Sequence, residues 1–276
     1  MNKKRRMNGY NMVVYTKESL IETLKLLANT GWIKNQRGNN DGAVGNTLED
    51  RLGITENNLP IPNAAEWELK THRSNSTALL TLLHLEPSPR SMALVSRMLL
   101  PNYGWKHQKA GIKYPEAEMS FRQTISCSKH SDRGFKVVVN REEEKIEISF
   151  NSACIDTHKH TEWKNWVNER VGLDELTPQP YWGFSDLEHA LGTKLHNCFY
   201  VLADVNNSNG EQFFWYKKVI MLKTFCFRNF LTCLENGSVF IDFDARTGHN
   251  HGTKLRIRQN VIPELYTYAT TVIDMK

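Results

Sequence analysis

The sequence predicts a mixed α/β (α+β) fold, and three observations predict it. Apolar residues recur at helical spacing near the N-terminus and again over 44–52. Over 65–71 they alternate with charged residues, the period of a half-buried strand. The second half then interleaves helix-like stretches with strand-like runs broken by Asn- and Gly-rich turns.

Taken in order, Leu20, Ile21, Leu24, Leu27 and Ala28 mark a first helix over 16–29. Thr16 is suited to cap its start and Gly31 to end it. A loose Gly/Asn stretch follows, and then Val44, Leu48 and Leu52 announce a short second helix that Gly53 stops. In 65–71, Trp67 and Leu69 point one way, and Glu66, Glu68 and Lys70 the other. A buried strand is expected at 78–85 and a helix at 91–100, closed by Pro101. Runs 135–140 and 145–150 read as a hairpin around Arg141-Glu142-Glu143-Glu144. Beyond it come a helix at 185–195, a strand at 198–205, a turn at 206–210 and a strand at 212–221. A helix over 225–234 ends before Asn236 and Gly237, and strands at 239–246 and 254–258 flank a Gly/His loop. The polar stretch 152–164 is the expected boundary between two lobes, 1–150 and 151–276.

With 276 residues, 40% hydrophobic and 24% charged, the chain can bury a sizeable core and is not of disordered composition. Its net charge of +5 suits a polyanionic partner, although many soluble enzymes are as basic. No apolar run approaches the roughly 20 residues of a membrane span. Lys3-Lys4-Arg5-Arg6 is followed by polar residues where a signal peptide needs apolar ones, so a cytoplasmic protein is expected. That basic tetrad is either a loose phosphate-binding arm or a plain terminus. Cys127, Cys154, Cys198, Cys226 and Cys233 are odd in number and show no CxxC pair, which argues against a disulfide framework or cysteine zinc site. Cys198 and Cys226 read as buried thiols in a reducing compartment.

The chemistry concentrates between Leu59 and His72. Glu68 and Lys70 are two apart on a strand, so both leave the same face. Asn63 precedes them, directly after Pro62. An acidic residue followed by Glu-x-Lys holds a hard divalent cation with two carboxylates and sets a lysine beside the attacking water. Alone the tripeptide says little, since such pairs are common on solvated strands.

Its context resembles the MvaI/BcnI family of restriction endonucleases, relatives of the mismatch-repair nicking enzyme MutH. The resembling residues are Gly42-Ala-Val-Gly-Asn-Thr-Leu-Glu-Asp50, then Pro62-Asn63 and Glu68-Leu-Lys-Thr-His72. Ser76-Thr-Ala-Leu-Leu-Thr-Leu-Leu83, Pro87-Ser-Pro-Arg90, Tyr181-Trp-Gly-Phe-Ser-Asp-Leu187 and His249-Asn-His-Gly-Thr253 follow in the family's order. The resemblance implies a PD-(D/E)xK restriction-endonuclease-like core with a second recognition lobe and a DNA cleft between them. It implies a magnesium-dependent, monomeric enzyme that nicks double-stranded DNA one strand at a time, with manganese or calcium able to substitute for binding. A cognate DNA methyltransferase is expected in the same host. The catalytic set is Glu49, Asn63, Glu68 and Lys70, with Asn63, Glu68 and Glu49 as metal ligands. Glu49 on its own reads as a surface residue of the second helix. Asn63 stands where the family has aspartate, so this chain is expected to be inactivated, by design or by nature. Glu66 is a lesser candidate ligand. Rival readings are a MutH-type nicking repair endonuclease and a catalytically dead sequence-specific DNA-binding protein.

Base reading needs donors and acceptors on a rigid element, arginine toward guanine and aspartate toward cytosine N4. Asp242, Asp244 and Arg246 alternate with Ile241, Phe243 and Ala245, and Lys254, Arg256 and Arg258 share a strand face. Such alternation also marks an ordinary solvated sheet. The resemblance favours recognition at His249, His251 and Arg256, with His72 and Arg73 as further DNA contacts. Asp244 stands where relatives carry arginine, so the target is expected to differ. A zinc pair at His249 and His251 lacks a third ligand at suitable spacing. His158 and His160 read as exposed loop. Arg90, Arg97 and Lys106 are scattered candidates for phosphate contacts.

Overall fold

The computed structural model describes residues 15–38, 40, 42–54, 66–74 and 76–276. The chain forms two compact units, one made of Met1–Ser76, Asn197–Leu222 and Ala269–Lys276, the other of Thr77–His196 and Lys223–Tyr268. The lobes expected from sequence, 1–150 and 151–276, are therefore cut differently. The cause is strand pairing, because the first unit's sheet needs strands from the second half of the chain.

Helix α1, Lys17–Thr30, begins at a capping box: the Ser19 amide donates to the Thr16 hydroxyl, and the Thr16 amide to the Ser19 hydroxyl. Gly31 ends it at φ 77°, and Leu20, Leu24 and Ala28 are buried. Strand β1, Ile33–Lys34, leads to α2, Ala43–Leu52, closed by a left-handed Gly53. Strand β2 is Glu68–Arg73.

The chain now builds the second unit. Strand β3, Leu79–His84, precedes a 3-10 turn at Arg90–Met92 and a π-turn at Val95–Leu99. Pro101 does not close a helix here. It sits inside α3, Leu100–Tyr103, which continues without a break from the π-turn, so the helix runs on past it to Tyr103. Next come β4 (Trp105–Lys106), β5 (Met119–Ser126), β6 (Arg133–Asn140) and β7 (Lys145–Ile155). Then follow α4 (Thr157–Val171), β8 (Tyr181–Gly183) and α5 (Phe184–Leu195). The supposed boundary at 152–164 is the end of β7 and the start of α4, which Asp156 caps. It is polar because α4 buries little beyond Trp163 and Val167. His158 and His160 thus lie on this helix and not in a loop.

Strands β9 (Asn197–Ser208) and β10 (Glu211–Phe225) return to the first unit through a turn with positive φ at Asn209 and Gly210. Helix α6 (Phe227–Glu235), β11 (Val239–Arg246), β12 (His249–Asn250) and β13 (Lys254–Arg258) complete the second unit, and β14 (Tyr266–Asp274) runs back into the first.

The first unit's sheet has the order β1-β10-β9-β2, with β14 also on β10. Its core joins Leu24, Val44, Leu48 and Leu69 to Phe199, Val201, Phe214 and Tyr216. The Tyr216 hydroxyl donates to the Val44 carbonyl at 2.8 Å, satisfying a buried phenol. The second unit has one sheet ordered β3-β13-β11-β5-β4, with β12 on β11, and another ordered β6-β7-β8. Phe121, Phe135, Phe150 and Tyr103 pack there edge-on and tilted. No helix among the described residues is long and apolar enough to cross a membrane.

Candidate functional site

Strand β2 lies parallel to β9, with Glu68 opposite Cys198 and Lys70 opposite Tyr200. Trp67 and Leu69 enter the apolar core, so Glu68, Lys70 and His72 share the opposite face. Glu68 is 1% exposed, and Lys70 Nζ lies 2.6 Å from its Oε1. Burying a carboxylate is costly unless a cation and hydrogen bonds attend it, and Lys70 supplies the cation.

His72 is 9% exposed. Its Nδ1 is 2.7 Å from the Tyr200 hydroxyl, and its Nε2 faces the Ser76 carbonyl at 3.4 Å. A nitrogen facing a carbonyl must carry the proton, so Nδ1 accepts from Tyr200. Burial holds the His72 pKa below its ordinary value, against a smaller upward pull from Ser76, and burial pushes the Tyr200 phenol up. With the ring enclosed and both nitrogens engaged, His72 positions Tyr200 and β2 and is not poised to touch a ligand directly. Arg73 donates to the Asn40 carbonyl at 2.6 Å and stands over the Phe214 ring.

Helix α2 packs on β2 at Gly45, where an added Cβ would meet Thr71 Oγ1 at 3.8 Å. Glu49 lies one turn further along the same helix face and is half-buried. Glu66 is exposed in the turn before β2, outside the strand register assumed for it. Asn63 lies outside the described residues. Among the described residues, no group of three or more His, Cys, Asp or Glu is placed to hold a metal.

In the second unit, β11 alternates cleanly: Val239, Ile241, Phe243 and Ala245 are buried, while Asp242, Asp244 and Arg246 are half-exposed. Strand β13 does the same, burying Leu255 and Ile257 and presenting Lys254, Arg256 and Arg258. Asp242 pairs with Lys254 in register. Side chains cross-link diagonally: Arg256 lies 3.3 Å from Asp242, and Lys254 lies 3.3 Å from Asp244. Arg256 also donates to the Leu79 carbonyl at 2.7 Å. Arg258 stands over the Phe240 ring. His249 and His251 meet edge-on at the exposed turn, Nε2 to Nδ1 at 3.2 Å.

Sequence reasoning missed the third strand of this face. On β5, Arg122 Nε lies 2.7 Å from Asp244, and the Thr124 hydroxyl donates to Asp242 at 2.8 Å. Glu118, just before β5, pairs with Arg246 at 2.9 Å. The signal was available: Phe121, Gln123 and Ile125 alternate with Ser120, Arg122 and Thr124, and the half-buried polar Gln123 and the buried Ser120 blur the pattern. Each aspartate thus sits between two donors from neighbouring strands. The face presents charge of both signs on rigid backbone, which is what reading base edges requires.

A family model described as the MvaI/BcnI restriction endonuclease family matches residues 21–266. Among solved structures, the fold is similar to the restriction endonuclease MvaI complex with its cognate DNA substrate. The TM-score is 0.72 at 21% identity, covering 92% of this chain and 97% of that one. It is also similar to MvaI in the absence of DNA, with a TM-score of 0.52 at 20% identity, covering 98% of this chain and 100% of that one. None of the curated proteins matches.

Proposed function

This chain belongs to the MvaI/BcnI restriction endonuclease family, and on that footing we propose that it cuts double-stranded DNA at a specific sequence by magnesium-dependent hydrolysis. The observation that carries the reading is the Glu68–Lys70 pair, a buried carboxylate and a lysine 2.6 Å apart on one strand face. A carboxylate held this way suits a hard cation that prefers oxygen ligands. Glu68 would hold magnesium with residue 63 and Glu49, and manganese or calcium could replace it for binding. Such an ion, when bound, would supply Lewis-acid chemistry, polarising the scissile phosphate and making nearby water more acidic. Lys70 holds the attacking water and offsets charge developing on the phosphate oxygens. Asp242, Asp244, Arg246, Lys254, Arg256 and Arg258, with the histidines 249 and 251, read base edges, while Arg73 contributes a phosphate contact.

The protein acts as a monomer. One catalytic centre then cuts one strand at a time, so the enzyme nicks, reorients and nicks again, and a cognate methyltransferase protects the host's copies of the target. Asn63 offers a neutral oxygen where the family pattern has a carboxylate. That exchange weakens metal binding and inactivates this chain. Asn63 also favours a second reading, a sequence-specific DNA-binding protein with a dead nuclease site.

The test compares this chain with its Asn63→Asp variant on unmethylated phage DNA with magnesium. Discrete fragments from the aspartate variant alone establish the endonuclease reading and place residue 63 at the metal. On a supercoiled plasmid carrying the same target, nicked circles without linear product point to a MutH-type nickase. Band shifts with no cleavage from either protein leave the DNA-binding reading.

A further inference from the structure

In the second unit, the residues between β4 and β5 form a tight, rigid projection. The amides of Ile112, Lys113 and Tyr114 all donate to the Lys109 carbonyl, at 3.2, 3.0 and 3.1 Å. The Gly111 amide donates to the Tyr114 carbonyl at 2.9 Å. At the base, the His107 amide donates to the Glu118 carbonyl, and His107 Nδ1 accepts from the Lys109 amide. Gly111 is required at φ 75°, and a Cβ there would collide with the Glu116 carboxylate.

This scaffold holds Ile112 at its tip, 85% exposed, more than any other large hydrophobic residue among those described. Lys109 and Lys113 flank it, both exposed, and neither has a carboxylate partner among the described residues. Lys106, by contrast, is paired with Glu116. The projection is tied to the recognition face. Tyr114 packs edge-on against the buried His107, and the Arg246 guanidinium lies 4.6 Å above its ring. Glu118, which anchors the loop's backbone, also pairs with Arg246.

A lone exposed isoleucine needs no explanation on most surfaces. Here it is held on a hydrogen-bonded turn, between two unneutralised lysines, at the end of the strand that carries the base-reading candidates. We propose that this tip is a second DNA-contacting element: Lys109 and Lys113 take phosphates beside the target, and Ile112 presses its apolar side chain into the groove against the bases between them. Apolar side chains of this kind are known to wedge against base steps where cations flank them. Arg246, stacked on Tyr114, couples the position of the tip to the face that reads sequence. This inference rests on the DNA-binding reading above.

The test measures binding of the full chain to sheared unmethylated phage DNA without divalent metal, over a series of salt concentrations. Ile112→Ser is compared with Ile112→Val, and Lys109→Ala/Lys113→Ala with the parent. Because all three residues are exposed, thermal melting should be unchanged. We expect Ile112→Ser to weaken binding about tenfold and Ile112→Val to retain most of it. The double lysine variant should lower the slope of log affinity against log salt by about 2. If the parent binds and every variant matches it in affinity and slope, the tip is not a DNA contact, while the endonuclease reading survives. If the parent itself fails to bind, that reading falls and this inference falls with it.

Discussion

At the residue scale, the catalytic claim rests on two side chains. Lys70 is close enough to Glu68 to neutralise it and exposed enough to reach a ligand. In the Asn63→Asp background, Lys70→Ala should therefore cut cleavage roughly 100- to 1000-fold while leaving DNA binding in place, as seen by gel shift beside a cleavage assay. Equal loss of both would mean that Lys70 is structural. His72 makes a separate prediction. Its folded pKa is depressed by burial, so above the unfolded value of about 6.5 its contribution to stability is fully present. As pH falls from there through the lowered folded value, the unfolded chain takes up the proton first and stability is lost. The melting temperature should drop between pH 7.5 and pH 5, and drop less in His72→Gln. An identical fall in both proteins would show that other groups carry the acid sensitivity.

At the element scale, the face proposed to read bases is three strands wide, and its aspartates are shared between them. Arg256 is held on Asp242 from one side and on the Leu79 carbonyl from the other. Arg256→Ala should relax discrimination at one base pair by about 1–3 kcal/mol, read from cleavage of singly substituted sites in the active background. A uniform loss across all sites would make it a phosphate contact instead. The core beneath α2 gives a stability prediction. Leu48 is fully buried, and Leu48→Ala should cost about 2–5 kcal/mol by denaturant unfolding. These two elements were readable beforehand because their periods are unbroken: Val44, Leu48 and Leu52 at helical spacing, and Asp242, Asp244 and Arg246 at strand spacing. The helix caps at Thr16 and Gly31 were readable for the same reason. Strand β5 was not, because a half-buried glutamine, Gln123, breaks its apolar face. Helix α4 was not, because its buried face is little more than Trp163 and Val167. Nor was β14, whose residues are mostly exposed. The site divides likewise. Glu68 and Lys70 lie where alternation put them, whereas the burial of His72 depends on Tyr200, a partner no local pattern reveals.

At the scale of the whole molecule, the chain enters its first unit three times, and β2 finds its parallel partner only in β9. Parallel pairs always need a crossover, and here the crossover is Thr77–His196, the larger part of the second unit. A fragment ending at residue 196 should therefore fail to order β2. Hydrogen exchange over 68–73 should then run at unfolded-chain rates, whereas protection there would mean that the strand is held without β9. Such long-range pairing also slows folding, since loop closure precedes any gain from the sheet.

The parallel β2–β9 pair has one more consequence, which concerns synthesis. A ribosome completes Glu68 and Lys70 long before it adds the strand that pairs with theirs. A polypeptide released early, by a truncated message or a protease, carries the proposed catalytic side chains without the strand that β2 pairs with. Copies that stop before the late strands are therefore expected to lack an ordered β2, whichever residue stands at position 63.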